Sequence, residues 1–354
     1  MLFLSLSRLK FTGHPKFYTM IRIIAEAGVN HNGDMQIAKQ LIDAASEAGA
    51  DYVKFQTFIA SKLVSADAPK AAYQQEGGTG DKQLEMLQKL ELSPEQHIEL
   101  AEHCRKKNIH FLSTAFDLES VDLLINLGIT LFKVPSGEIT NLPYLKKIGS
   151  LGKNVILSTG MCVMEEIREA IDVLVTAGTD RKNITVLHCT TDYPTKMQDV
   201  NLNAMLSIRE QLGVNIGYSD HTLGIEVPVA AAALGAQVIE KHFTLDRTLP
   251  GPDHKASLEP AELKSMVTAI RNIEAALGSA EKQPTATELE NRIVARKSIH
   301  IAKELPQGHV ITEADLAMKR PGTGISPMLL ENVLGKRTRS ALSEGQLLKW
   351  EELE

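Results

Sequence analysis

The 354-residue chain is poor in the features that mark secreted, membrane-bound or nucleic-acid-binding proteins. Three cysteines, Cys104, Cys162 and Cys189, are too few and too scattered for a disulfide framework, and no CxxC pair occurs. A reducing, cytoplasmic setting is the expectation. No stretch nears the roughly 18 consecutive apolar residues of a membrane span. The first 19 residues lack the apolar core and small-residue cleavage site of a signal peptide. Because Met20 directly precedes the first convincing strand, residues 1–20 are expected to be a disordered or mis-annotated extension. A net charge of −6 without a long basic run argues against nucleic acid as the main partner. There is no GxGxxG loop, which disfavours a doubly wound dinucleotide-binding sheet, and no repeat at a solenoid period.

What is present is a rhythm. Apolar content of 43% and charged content of 23% suit an ordinary globular enzyme. From Ile21 short apolar runs alternate with segments of helical periodicity. Eight strands are predicted, at 23–29, 51–57, 110–116, 131–136, 154–159, 184–190, 215–221 and 237–243. Helices fall between them, for example over 35–47, 94–107, 165–177 and 224–234, and a last one over 260–277. Eight strand–helix units with strands apolar on both faces predict an α/β fold, a (β/α)8 TIM barrel over residues 21–277. The 36 residues between Thr57 and Pro94, with Gly77-Gly78-Thr79-Gly80 among them, are too long for an ordinary connection and are expected to cover the site. Residues 278–294 look like a linker, and 295–354 form a small second unit with short strands near 297–302 and 316–319.

In such a barrel the C-terminal strand ends carry the chemistry. Strand 7 ends in Tyr218-Ser219-Asp220-His221 and strand 8 in Glu240-Lys241-His242, which would set His221 and His242 side by side on one rim, where they could hold one divalent metal. A lone strand-end histidine more often serves structure, so the other strands must decide. Strand 1 brings Glu26, and strand 2 brings Lys54 and Gln56 on one face, with Phe55 turned away. Strands 3 and 4 bring Thr114, Lys133, Ser136 and Glu138. Strand 5 brings Ser158, strand 6 ends in His188, Thr190, Thr191 and Tyr193, strand 7 brings Ser219, and Asp253 follows strand 8. Any one hydroxyl here could simply cap a helix. Together, two lysines, several hydroxyls and two imidazoles describe a receptacle for a phosphorylated anion beside a metal such as Mn, Zn, Fe or Co.

The motifs AEAGVNHNGD, DYVKFQTF, FKVPSGEITN, ILSTGM, GYSDHT, EKHFTLDRTLPGPDH and KRPGTGISP resemble those of the sialic acid synthase family, nonulosonic acid synthases with a C-terminal antifreeze-like (SAF) domain. The resemblance covers residues 21–354. It implies condensation of phosphoenolpyruvate with N-acetylmannosamine and water to give N-acetylneuraminate and phosphate by C–O cleavage. It also implies a homodimer in which the small domain of one chain covers the site of the other. Carried over by position, His221 and His242 match ligands of a divalent metal, Mn2+ first, with Mg2+ or Co2+ as substitutes. Lys54, Thr114, Lys133, Ser136, Ser158 and Ser219 match the phosphoenolpyruvate site. Glu26, Gln56, Glu138, Tyr193 and Asp253 match positions facing the sugar, and Arg320 matches an arginine offered by the partner chain. Glu138, Glu26 and Asp253 are the carboxyl groups for catalysis, with Glu138 first in line for proton transfer. Two alternatives stand beside this: a legionaminic or pseudaminic acid synthase acting on a 6-deoxy-diacetamido hexose, and a non-catalytic sugar-binding protein.

Overall fold

The computed structural model describes residues 20–65, 68 and 82–354. The expectations about residues 1–19 and about the glycine-rich stretch at 77–80 lie outside the described residues. The chain divides into two compact units, residues 1–278 and 279–354.

The first unit is a closed barrel of eight strands in sequence order. These are β1 (Arg22–Gly28), β2 (Tyr52–Thr57), β3 (His110–Ala115), β4 (Leu131–Val134), β5 (Asn154–Ser158), β6 (Ile184–His188), β7 (Asn215–Asp220) and β8 (Val238–His242). Every neighbouring pair is parallel, and β1 closes on β8 with Glu26 opposite His242. Helices Met35–Ala48, Pro94–Lys106, Leu118–Asn126, Leu142–Ser150, Met164–Ala177, Asn203–Leu212, Glu226–Ala233 and Pro260–Leu277 pack outside it. Local chemistry starts several of them. Asp34 accepts from the Gln36 and Ile37 amides, Ser93 and Gln96 cap each other reciprocally ahead of Pro94, and Asp117 accepts from Ser120.

Strand alternation divides the barrel's residues into two sets. Outward residues such as Val53, Phe55, Val134, Leu157, Val186, Tyr218 and Ile239 join helix residues in one large apolar core. Each fully buried aliphatic or aromatic side chain there contributes about 1.5–3 kcal/mol. Inward residues Ile24, Leu112, Leu131, Ile156, Leu187 and Val238 form a separate apolar plug inside the barrel. A polar layer lies above that plug, because the next inward positions along the strands are Glu26, Thr114, Lys133, Ser158 and Glu240. Gly217 lets β7 and β8 come together: a Cβ there would stand 2.4 Å from the Val238 carbonyl oxygen and 2.5 Å from Leu187.

The second unit packs Ile299, Ile301, Leu305, Ile311, Ile325, Val333, Leu342, Leu348 and Leu353 into a core of its own. Antiparallel strands β9 (Ser298–Ile301) and β10 (Leu316–Lys319) run through it, with Ile301 opposite Leu316. The stretch read as a linker includes a capped helix, Ala286–Ala295. Among the described residues no helix is long and apolar enough to cross a membrane.

Candidate active site

The polar layer is built from buried charges. Lys54 on β2 donates to Glu240 on β8 at 2.6 Å, and its Nζ stands 3.3 Å from Glu26 Oε2. Lys133 on β4 lies 3.4 Å from the other oxygen of Glu240, and Ser219 on β7 donates to that oxygen at 2.9 Å. All four charged side chains are nearly inaccessible to water. Burial alone would raise the Glu240 carboxyl, but Lys133 and Lys54 hold it well below the usual carboxylate range. Burial and the neighbouring Glu240 charge push Glu26 the other way, to about 8, against the pull of Lys54. Burial thus favours the protonated form of Glu26. Lys54 and Lys133 converge on the single carboxylate of Glu240.

The histidines stand at its edge. His221 follows β7 directly and His242 ends β8, with ring centroids 5.5 Å apart. Burial keeps both imidazoles neutral, lowering His221 to about 4 and His242 well below its ordinary value. The Thr190 carbonyl accepts a hydrogen bond from His221 Nδ1 at 2.5 Å, which fixes that tautomer and leaves the Nε2 lone pair available. Tyr193 lies against His221, centroids 4.1 Å apart, and edge-on to His242. Asp253, in the loop after β8, has an oxygen 3.9 Å from His242 Nδ1, and its carboxyl is pushed up to about 6 by burial.

Unsatisfied atoms mark where a ligand belongs. Thr114 Oγ1, Ser158 Oγ and His242 Nδ1 are buried without a hydrogen-bond partner, and Glu26 Oε2 has only its ion pair with Lys54. Each unpartnered atom costs about 1–3 kcal/mol, and folded chains seldom keep three of them within one barrel mouth unless something else satisfies them. Gly28 supplies the space. It sits at a bulge in β1 with φ +53°, and a Cβ there would lie 3.4–3.5 Å from Glu26 Oε1, His242 Cε1 and Asp253 Oδ2 together.

The residues named from sequence divide as follows. The structure gathers Glu26, Lys54, Lys133 and Ser219 around Glu240, and His221, His242, Tyr193 and Asp253 into a second cluster beside it, with Glu26 opposite His242 in the sheet. Thr114, paired with Lys133 in the sheet, and Ser158 on β5 complete the layer, and Gln56 follows Lys54 on the same face, half-buried. Ser136 begins the turn after β4, where its Oγ accepts from the Gly160 amide at 2.8 Å. Glu138 is outside the buried network. It is half-buried on that same turn, and its carboxylate accepts from Asn141, which caps the next helix. Arg320 is exposed in the second unit, beside a turn held by Ser298, whose Oγ donates to the Pro321 carbonyl and accepts from the Gly324 amide. His188, expected at the rim, faces outward and bonds the Val200 carbonyl. Sequence reading missed Glu240, the central anion, and Cys189, whose Sγ lies 3.5 Å from Ser136 Oγ. Period-2 alternation back from His242 would have found Glu240.

Known proteins place the chain in a family. The model of the NeuB family matches residues 41–282, and that of the SAF domain matches 296–354. The chain belongs to the NeuB family of nonulosonic acid synthases. It is 54% identical over 328 residues to N,N'-diacetyllegionaminic acid synthase of Campylobacter jejuni, covering 92% of this chain and 98% of that one. It is 50% identical over 335 residues to the enzyme of the same name from Legionella pneumophila, covering 94% of each. Human N-acetylneuraminate-9-phosphate synthase, another relative, is 35% identical over 94% of this chain and 90% of its own length. Among solved structures, the N-acetylneuraminic acid synthetase of Leptospira borgpetersenii, crystallised with citrate, superposes with a TM-score of 0.69 at 35% identity, covering 77% of this chain and 90% of that one. Family membership makes this barrel an enzyme.

Proposed function

We propose that the protein is an N,N'-diacetyllegionaminic acid synthase, joining phosphoenolpyruvate, water and 2,4-diacetamido-2,4,6-trideoxymannose in its open-chain form and releasing phosphate by C–O cleavage. The observation that carries this reading is the 54% identity along 98% of the Campylobacter synthase of that name, against 35% to the human N-acetylneuraminate-9-phosphate synthase. The plain N-acetylneuraminate reading drawn from motifs gives way to its legionaminic alternative. The motifs hold the parts common to the family, whereas whole-chain identity also samples the walls around the sugar.

The chain's own residues supply most of the chemistry. Lys54 and Lys133 offset the charge of phosphoenolpyruvate, which would otherwise be repelled by Glu240. The unpartnered hydroxyls of Thr114 and Ser158 donate to its oxygens. As C3 attacks the sugar aldehyde, the developing alkoxide needs a proton, and burial favours the form of Glu26 that holds one. Water then adds at C2, and Asp253, raised to about 6, is suited to take its proton. The C2 hydroxyl formed from that water then gives up its remaining proton to the departing phosphate as the bond from C2 to the phosphate oxygen breaks, leaving the keto acid. Proton transfer thus falls to Glu26 and Asp253 ahead of Glu138, whose carboxylate is engaged with Asn141 at the mouth.

A divalent cation such as Mn2+ fits this set. The two imidazoles are neutral, the His221 tautomer is fixed with Nε2 open, and His242 Nδ1 has no partner. Among the described residues no group of three or more His, Cys, Asp or Glu is arranged around one point as a metal site, so His221 and His242 would hold the ion with substrate and water completing its shell. When bound, it polarises the aldehyde oxygen as a Lewis acid. Phosphate release from phosphoenolpyruvate should require both the diacetamido sugar and added Mn2+. Release without any sugar would contradict the condensation.

A further inference from the structure

We propose that Asp220, Thr222 and Lys241 are positioning residues for the metal site, tying a buried knot that sets where His221 and His242 stand relative to each other. The inference rests on the reading that these two histidines hold a divalent cation.

Asp220 precedes His221 and Lys241 precedes His242, and the two are opposite each other in the β7–β8 ladder. They are 1% and 0% exposed and form an ion pair through Lys241 Nζ and Asp220 Oδ2. Nζ also donates to the Thr222 carbonyl at 2.6 Å. Thr222 returns its amide to Asp220 Oδ1 at 3.1 Å and its hydroxyl to both carboxylate oxygens at 3.0 Å. The backbone on either side of His221 is thereby fastened to the residue before His242. The His221 carbonyl accepts from the Thr195 amide at 2.9 Å, and that of His242 from Leu258 at 2.9 Å, so both strand ends are also held from outside the knot.

Alternation sends Asp220 and Lys241 to the outer face while the histidines face the mouth. The pair therefore cannot itself touch substrate. Stability does not require it either: a fully buried ion pair is commonly no better than well-packed apolar residues of the same volume, because desolvation offsets the attraction. What an ion pair with four further hydrogen bonds supplies, and an apolar pair does not, is direction. It fixes the register of two strand ends whose next residues must converge on one ion.

The test removes the charges together, so that no lone buried charge remains. Full-length protein carrying Asp220→Leu with Lys241→Met is compared with the parent, with Thr222→Val and with His221→Ala. Free Mn2+ is measured by electron paramagnetic resonance, phosphoenolpyruvate binding without metal by calorimetry, and folding by circular dichroism. The inference expects the double variant to melt cooperatively, to bind Mn2+ at least tenfold more weakly, and to bind phosphoenolpyruvate within twofold of the parent. Thr222→Val keeps both charges and should weaken Mn2+ binding about threefold; it decides the matter if the double variant does not fold. Parental Mn2+ affinity in the folded knot variants, with binding lost in His221→Ala, would overturn the positioning role alone. Parental affinity in His221→Ala would overturn the metal reading and the inference with it.

Discussion

Replacing Glu240 by Gln keeps the shape of the side chain and removes the one anion on which the buried lysines converge. At an effective dielectric of about 20, its attraction to Lys54 at 2.6 Å is gross about 6 kcal/mol, and that to Lys133 at 3.4 Å about 5 kcal/mol. Desolvation of all three groups offsets most of this, and breaking one side of a buried pair typically costs about 3–5 kcal/mol. Glu26 softens the loss. The Glu240 charge is one of the causes that raise its carboxyl, so without it Glu26 ionises more readily and stands in as the counter-ion 3.3 Å from Lys54. The expected net cost is about 3 kcal/mol, which in a domain of this size lowers the melting temperature by about 6–12 °C. Adding Glu26→Gln to Glu240→Gln removes the stand-in, so the double variant should lose more than the sum of the single changes, by about 0.5–3 kcal/mol. Phosphoenolpyruvate should recover more of the melting temperature in Glu240→Gln than in the parent, because the ligand brings the missing negative charge. Thermal melts with and without ligand measure all of this. A Glu240→Gln melt within about 2 °C of the parent, or strict additivity with Glu26→Gln, would refute the shared counter-ion.

Three further outcomes follow from the same geometry. Ser158→Ala removes a hydroxyl that has no partner in the protein, so stability should change by no more than about 0.5 kcal/mol while KM for phosphoenolpyruvate rises about tenfold or more, the worth of one hydrogen bond to a charged group; a large loss of stability with unchanged KM would contradict it. Gly28→Ala puts a methyl among Glu26, His242 and Asp253 at φ +53°, costing about 1–2 kcal/mol in backbone strain and lowering kcat/KM for the sugar at least about 100-fold, and steady-state kinetics near the parental value would contradict it. Asp315 anchors the second unit: although burial opposes its charge, Lys303, His309 and Thr312 hold its carboxyl well below the usual range. A depressed folded-state carboxyl stabilises above the unfolded value of about 3.9 and loses that contribution as pH falls below it. Fluorescence of Trp350, the single tryptophan and part of this unit, should therefore report acid destabilisation between about pH 5 and 2 that Asp315→Asn largely abolishes, and an equally steep acid transition in the variant would contradict it.

Much of the scaffold was legible because its strands are buried on both faces. Apolar runs such as IGY in β7 and VIL in β5 announce themselves, and all eight lie within a residue or two of their predicted places. The cluster of Lys54, Lys133, His221 and His242 was legible because polar side chains gather at the ends of several apolar strands of one barrel, where no one of them alone would decide. Glu240 was hidden by its neighbours: in Glu-Lys-His the lysine faces out to Asp220 and the other two face in, a split that requires counting from the apolar residues below. The partners of Glu138 were equally hidden, because whether a carboxylate after β4 enters the barrel or caps the next helix depends on one turn. The choice of sugar was not legible, because the motifs read from the sequence are those of the family and do not separate the neuraminic from the legionaminic reading.

The central claim is the choice of sugar, and one competition decides it most directly. The protein is given phosphoenolpyruvate, Mn2+ and equal concentrations of 2,4-diacetamido-2,4,6-trideoxymannose and N-acetylmannosamine, and the nonulosonic acids formed are weighed by mass spectrometry. The account predicts that diacetyllegionaminic acid dominates the products from the first minutes. A preponderance of N-acetylneuraminate would contradict it.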